Sequence, residues 1–180
     1  MAPTLISREI LYKSKHTELR KDKIQLEDGL ETYREIIERP SAVVVVAVDN
    51  NDEYYFVRQH RWAVGESLLE LPAGKIEEGQ TPLECADMEV QQEIKMKGYL
   101  SPLGQFYASP GYSTELLQVF EATGLMPSAL DGDEDERIEI ETMPYGDVIR
   151  AIQSGKIKDS KSIAALWLHF LKADTRFLSR

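Results

Sequence analysis

Cysteine is almost absent from this chain. Cys85 stands alone among 180 residues, so no intrachain disulfide can form, and a reducing compartment is favoured. Long apolar runs are missing too. The longest, Ala42 to Val48, is far too short to cross a bilayer, and Met1 to Ile10 lacks the apolar centre of a signal peptide. A cytoplasmic protein with no membrane partner is therefore expected. Basic residues are outnumbered 21 to 31, for a formal net charge of −10. That balance excludes broad, charge-driven binding to nucleic acid. It does not exclude an anionic substrate, because an acidic site can hold a divalent cation that turns positive charge toward a phosphate. No internal repeat, low-complexity tract or Pro/Ser-rich linker interrupts the chain.

What is present is a soluble composition, 42% hydrophobic and 29% charged, enough for a real core. Residues 5 to 38 read as an antiparallel β-meander, with Lys23–Leu26 and Thr32–Ile37 flanking the turn pair Asp28-Gly29. Ser41–Val48 is a continuous β-branched run, hence a strand covered on both faces. Strands are also expected at Tyr54–Gln59, Leu68–Leu71, Leu103–Ala108, Leu116–Ala122 and Ile138–Thr142. Thr81-Pro82-Leu83-Glu84 combines a capping box with proline at the first helical position, and predicts a helix running to Glu93 or Ile94. Two later helices are read at Tyr145–Gln153 and Ser162–Leu171. Early strands, one central helix and late helices predict a layered α/β (α+β) domain.

The chemistry concentrates in ELPAGKIEEGQTPLECADMEVQQE, residues 70 to 93. Glu89 and Glu93 are four apart, so their carboxylates share one helix face. Such a pair is ordinarily a solvated surface, and two like charges there repel. A divalent cation reverses the sign of that interaction. With a backbone carbonyl from the loop before the helix, plausibly Ala73, two carboxylates make a hard-oxygen site suited to Mg²⁺ or Mn²⁺.

The same segment resembles the Nudix box, G-x5-E-x7-R-E-U-x-E-E-x-G-U with U a bulky aliphatic residue, laid without gaps from Gly74 to Met96. Gly74, Glu89, Val90 and Glu93 match it. Val57-Arg58-Gln59-His60-Arg61, Glu70-Leu71-Pro72-Ala73-Gly74 and Ser109-Pro110-Gly111 resemble flanking motifs of the ADP-ribose pyrophosphatase branch. The resemblance implies a Nudix-type α/β/α sandwich with a mixed sheet over residues 41–180. It also implies an N-terminal meander over residues 1–40 that builds a homodimer. The implied reaction is Mg²⁺-dependent hydrolysis of a nucleoside diphosphate sugar, with ADP-ribose giving AMP and ribose 5-phosphate. By the same resemblance Ala73, Glu89, Gln92 and Glu93 ligate metal. Glu136 or Glu134 of the acidic loop Gly132–Glu136 serves the water, and Arg58, Arg61, Glu70, Gly111 and Glu115 meet the substrate. Counting by twos along the strand places Arg58 and Arg61 on opposite faces, so the two arginines need not share a ligand. Trp62, Phe106 and Tyr112 are candidates to stack on a base, although a core role is the commoner fate of such residues. The three histidines, His16, His60 and His169, show no ligand spacing, and Cys85 reads as a small buried thiol.

Four positions depart from the box: Gln80 for Glu, Met88 for Arg, Gln92 for Glu and Lys95 for Gly. Gln92 and Gln80 remove negative charge, which loosens the hold on a cation. Met88 removes the brace of the box glutamates. Lys95 in a left-handed conformation costs about 1 kcal/mol, so a different helix end is expected. Three readings follow: an enzyme of lower metal affinity, a nucleotide-sugar binding protein that has lost turnover, or introduced substitutions. Within the enzyme class ADP-glucose and GDP-mannose remain open as substrates.

Overall fold

A computed structural model describes residues 3–132 and 137–173. The elements in chain order are β1 (Thr4–Lys13), β2 (Glu18–Gln25), β3 (Glu31–Glu38), β4 (Ala42–Ala47), β5 (Glu53–Arg61), β6 (Glu66–Glu70) and β7 (Ala73–Lys75). They continue with α1 (Pro82–Glu93), β8 (Met96–Tyr107), β9 (Leu116–Pro127), β10 (Ile138–Pro144), α2 (Tyr145–Gln153) and α3 (Ser160–Ala173). The chain divides into two compact units, residues 1–41 with 106–116, and residues 42–105 with 117–180.

In the first unit β1, β2 and β3 form an antiparallel sheet in that order. Gly29 takes the left-handed conformation that the turn requires, φ 87°, and Asp28 Oδ1 accepts from Leu30 N at 3.0 Å. Buried Asp22 is the polar hub, held by Arg8 through two 2.9 Å hydrogen bonds. The segment 106–116 joins this unit through backbone bonds from Ile37 N to Tyr112 O (2.7 Å) and from Thr114 N to Ile37 O (3.1 Å).

In the second unit a mixed sheet runs β7-β4-β9-β8, and a second sheet runs β10-β5-β6. Every residue of β4 is buried, and it lies parallel to β9 and antiparallel to β7. Val43, Val45 and Ala47 pack in one cluster with Cys85, Ala86, Val90 and Ile94 of the α1 stripe, and with Phe120 and Ala122. Alternation along the strand sends Val44 and Val46 to the opposite face, and α3 also packs on β4. A strand covered on both faces by helices needs an unbroken apolar run, so helix, sheet and helix form the expected sandwich.

Thr81 caps α1 as read from the sequence, with the reciprocal Glu84 bond and Pro82 in the first turn. Its far end corrects an expectation. Lys95 adopts φ 58° despite carrying a side chain. The strain is offset by Lys95 Nζ donating to Leu130 O at 2.9 Å and Lys95 O accepting from Ser128 N at 3.0 Å. Further differences concern the bounds and number of elements, and β9 runs on to Pro127 rather than ending at Ala122. β8 begins at Met96, after only Ile94 and Lys95 beyond the helix, rather than at Leu103. α3 begins at Ser160, capped by Asp159. β7, only three residues long, has no counterpart among the expected strands.

Candidate active site

The residues of the box loop and helix meet along β7. In the β4–β7 register Val44 opposes Ala73 and Val43 opposes Gly74, while Pro72 O accepts from Val45 N at 2.9 Å. Hydrogen-bonded pairs alternate along an antiparallel ladder. Ala73 therefore turns its N–H and C=O away from β4, off the open edge of the sheet. Glu93 Oε2 takes the Ala73 N–H at 2.9 Å, and Glu93 is only 5% exposed. One residue on, a Cβ at Gly74 would fall on the Glu89 carboxylate. Glycine is required there because that carboxylate lies against the bare backbone. Both helix glutamates are thus seated on neighbouring residues of one short strand, with the Ala73 carbonyl on the same edge.

That arrangement fits a hard divalent cation: two carboxylates and a backbone oxygen, with room for water or phosphate oxygens to complete the shell. Among the described residues no group of three His, Cys, Asp or Glu side chains is placed to hold a metal, consistent with an amide at position 92. Gln92 Nε2 donates to Asp131 O at 2.8 Å, which ties the amide nitrogen to the chain beyond β9. The two substituted positions Gln80 and Met88 face one another, with Nε2 3.8 Å from Sδ. A neutral contact occupies the place where the box pattern has Glu and Arg. Cys85 donates to Lys75 O at 3.3 Å, and burial, with the Glu89 and Glu77 charges, pushes its thiol up to about 12. It is a packed thiol, not a nucleophile.

Arg61 and Arg58 part company, as the alternation implied. Arg58 Nε and Nη2 both meet Glu141 Oε1 on β10, at 2.6 and 2.5 Å. Arg61 forks onto Glu70, Nε to Oε1 at 2.8 Å and Nη2 to Oε2 at 2.6 Å. Glu70 is 1% exposed. Burial alone would raise its carboxyl, but the Arg61 hydrogen bonds and the Lys161 charge hold it below the usual carboxylate range. Arg61 is in turn raised, first by its bonds to Glu70, with Glu93 and Asp159 adding attraction. Lys161 also ion-pairs with Glu70. Asp159 binds Lys161 Nζ at 2.9 Å and Ser162 Oγ at 2.6 Å, and Ser162 Oγ accepts from Leu71 N at 2.8 Å. Sequence reading missed Asp159, Lys161 and Ser162; the helix-capping potential of Asp159 before Ser160-Lys161-Ser162 was the available signal.

Gly111 and Glu115 lie on the segment that belongs to the meander unit. There Glu115 sits 3.7 Å from Arg39 Nε, and Gly111 is open around its Cα. Glu134 and Glu136 fall outside the described residues. Trp62 and Tyr112 are 88% and 56% exposed, so neither has the core role expected of it. Trp62 lies edge-on to His60. His169 is buried against Tyr54 OH at 3.0 Å.

The Nudix domain model matches residues 38–166, and the chain belongs to the Nudix family. It is 30% identical to the ADP-ribose pyrophosphatase of Bacillus subtilis (strain 168), over 89% of each chain. It is 31% identical to a methanol dehydrogenase activator of Bacillus methanolicus, again over 89% of each. It is 32% identical to the ADP-ribose pyrophosphatase of Escherichia coli (strain K12), covering 91% of this chain and 86% of that one. A crystal structure of an ADP compounds hydrolase superposes with TM-score 0.86 at 21% identity, over 100% of this chain and 97% of that one, which establishes the shared fold. Among the described residues no helix is long and apolar enough to cross a membrane.

Proposed function

We propose that this protein hydrolyses the pyrophosphate bond of a nucleoside diphosphate sugar, ADP-ribose foremost, releasing AMP and ribose 5-phosphate. The observation that carries the reading is the seating of Glu89 and Glu93 on Gly74 and Ala73, with the Arg61 fork close enough to Glu93 to feel its charge. Relatives named ADP-ribose pyrophosphatase support the substrate. Mg²⁺, or Mn²⁺ in its place, would be held by Glu89, Glu93, the Ala73 carbonyl and Gln92 Oε1, and would neutralise charge that builds on the diphosphate oxygens.

The protein's own groups divide the remaining work. The Ala73 N–H donates to Glu93 Oε2 at 2.9 Å and holds that carboxylate in place on β7. Arg61 has its inner edge on Glu70 and turns Nη1 outward to pair with a phosphate oxygen. Arg58, committed to Glu141, serves the substrate indirectly by fixing β5 against β10. Glu136, with Glu134 as the alternative, orients the attacking water, and the family resemblance carries Gly111 and Glu115 over as substrate-binding residues.

Exposed Leu5, Ile6, Ile10, Leu11 and Tyr12 on edge strand β1 support a homodimer built by the meander, with residues 41–180 forming the catalytic domain. Light scattering that returns a single 20.5 kDa species refutes that assembly.

A second reading is favoured by the neutral Gln80–Met88 contact: a nucleotide-sugar binding protein with little turnover. The deciding experiment is a panel of ADP-ribose, ADP-glucose and GDP-mannose, with released AMP or GMP measured with and without Mg²⁺. AMP from ADP-ribose only with the cation supports hydrolysis. A rise in melting temperature with ADP-ribose but no AMP at any Mg²⁺ or Mn²⁺ concentration supports the binding protein.

A further inference from the structure

Lys161 has no place in the box or its flanking motifs, yet it reaches the most deeply buried carboxylate near the site. Glu70 is 1% exposed and receives two cations, Arg61 through a two-pronged fork and Lys161 through a single ion pair. A buried carboxylate needs a partner, and the Arg61 fork alone would supply one. The second cation therefore calls for an explanation beyond neutralising Glu70.

The hydrogen bonding gives one. Arg61 spends Nε and Nη2 on Glu70, while Nη1 makes no bond within the described residues and the side chain is 39% exposed. If Arg61 were the only counterion, the pair would be electrically closed, and its outer edge would show a phosphate little net charge. Sharing Glu70 with Lys161 leaves part of the guanidinium charge uncancelled. Asp159 Oδ2 offsets part of the Lys161 charge (2.9 Å) and also accepts from Ser162 N (3.0 Å) and Ser162 Oγ (2.6 Å), at the positive end of α3. The same turn of α3 holds the backbone that follows Glu70, since Ser162 Oγ accepts from Leu71 N. Lys161 is thus tied to a rigid helix start and sets both the charge and the direction of the Glu70 seat.

We propose that Lys161 is a positioning residue for phosphate binding: it shares the Glu70 carboxylate with Arg61, so that the outer edge of Arg61 remains oriented and positively charged toward a diphosphate. The inference rests on the hydrolase reading above. It predicts an effect on substrate capture rather than on the chemical step, because Lys161 acts through Glu70 and Asp159.

The test is steady-state hydrolysis of ADP-ribose with Mg²⁺ by the wild type, Lys161→Gln, Lys161→Arg, and Lys161→Gln combined with Arg61→Met. Lys161→Gln should raise KM about tenfold while kcat stays within about twofold, the signature of lost uniform binding. Lys161→Arg should restore KM to within about threefold of wild type. On the Arg61→Met background Lys161→Gln should shift KM by less than about twofold, because the group it acts through is gone. An unchanged KM in Lys161→Gln overturns the proposal, as does an equal KM increase with and without Arg61, or a loss confined to kcat. Should Lys161→Gln fail to fold by circular dichroism, Lys161→Met replaces it. Failure of both to fold assigns Lys161 to the fold and overturns the positioning role. A wild type that releases no AMP sinks the functional reading and this inference together, whereas an active wild type with an indifferent Lys161→Gln sinks the inference alone.

Discussion

The two ends of helix α1 solve the same problem with different materials. At the start, Thr81 and Glu84 satisfy each other's backbone N–H groups within four residues of sequence. At the finish nothing local suffices. Lys95 stands in a left-handed conformation, and Gln91, Gln92 and Lys95 close the end by binding Ser128, Leu130 and Asp131, more than thirty residues away. The comparison shows that a substituted box position is not simply a vacant one. Gln92 has traded a negative charge for a donor, and the donor holds the chain leading into the acidic loop.

The largest effect belongs to Glu93, the last residue of α1. Glu93→Gln keeps an oxygen for the Ala73 N–H, so the fold should survive, while AMP release from ADP-ribose should fall about a thousandfold, equivalent to roughly 4 kcal/mol. An undiminished rate would remove Glu93 from the chemistry. Next comes Gln92→Glu, which replaces the donor by an acceptor facing Asp131 O. Thermal unfolding should show a loss of about 1–2 kcal/mol. A Mg²⁺ titration should show several-fold tighter half-saturation, because a charged oxygen joins the set. If stability and metal affinity both stay put, Gln92 is neither clasp nor ligand.

At the opposite end Thr81→Ala should cost about 1 kcal/mol by denaturant melt, with KM for ADP-ribose unchanged. The smallest effect is one of pH. The Thr81 hydrogen bonds hold the Glu84 carboxyl below its usual value of 4.5. A depressed carboxylate contributes stability that is complete above that value and is lost as pH falls through the lower, folded value. Melting curves recorded downward from pH 6 should therefore draw wild type and Glu84→Gln together in acid. The Gln92–Asp131 clasp, being neutral, should show no such convergence when wild type is compared with Gln92→Leu.

Much of this was legible in the residues, and the division between what was and was not has a physical basis. β4 could be read from Ala42 to Val48 because burial on both faces leaves an unbroken apolar run. The start of α1 could be read because capping is local. β7 could not, since three residues carry no period, and its partners in the ladder, Val44 and Val43, lie 29 and 31 positions earlier than Ala73 and Gly74. β8 was read too short because Met96–Pro102 alternates too weakly to announce a strand. In the site, the shared helix face of Glu89 and Glu93 followed from their spacing. The seat beneath them did not: it depends on Gly74 and the edge of β7. The coupling of Glu70 to Lys161 spans 91 residues and belongs to packing alone.

At Gly74 the backbone and the Glu89 carboxylate compete for one volume. The space a methyl group would fill at that position is already taken by the Glu89 carboxylate. The smallest residue of β7 therefore acts as a mould for a carboxylate on the helix. Add one carbon there and the protein can still fold, cap its helix and bury its valines, but a carboxylate must swing aside. Backbone shape and ligand geometry are at this point a single variable, set by a hydrogen atom.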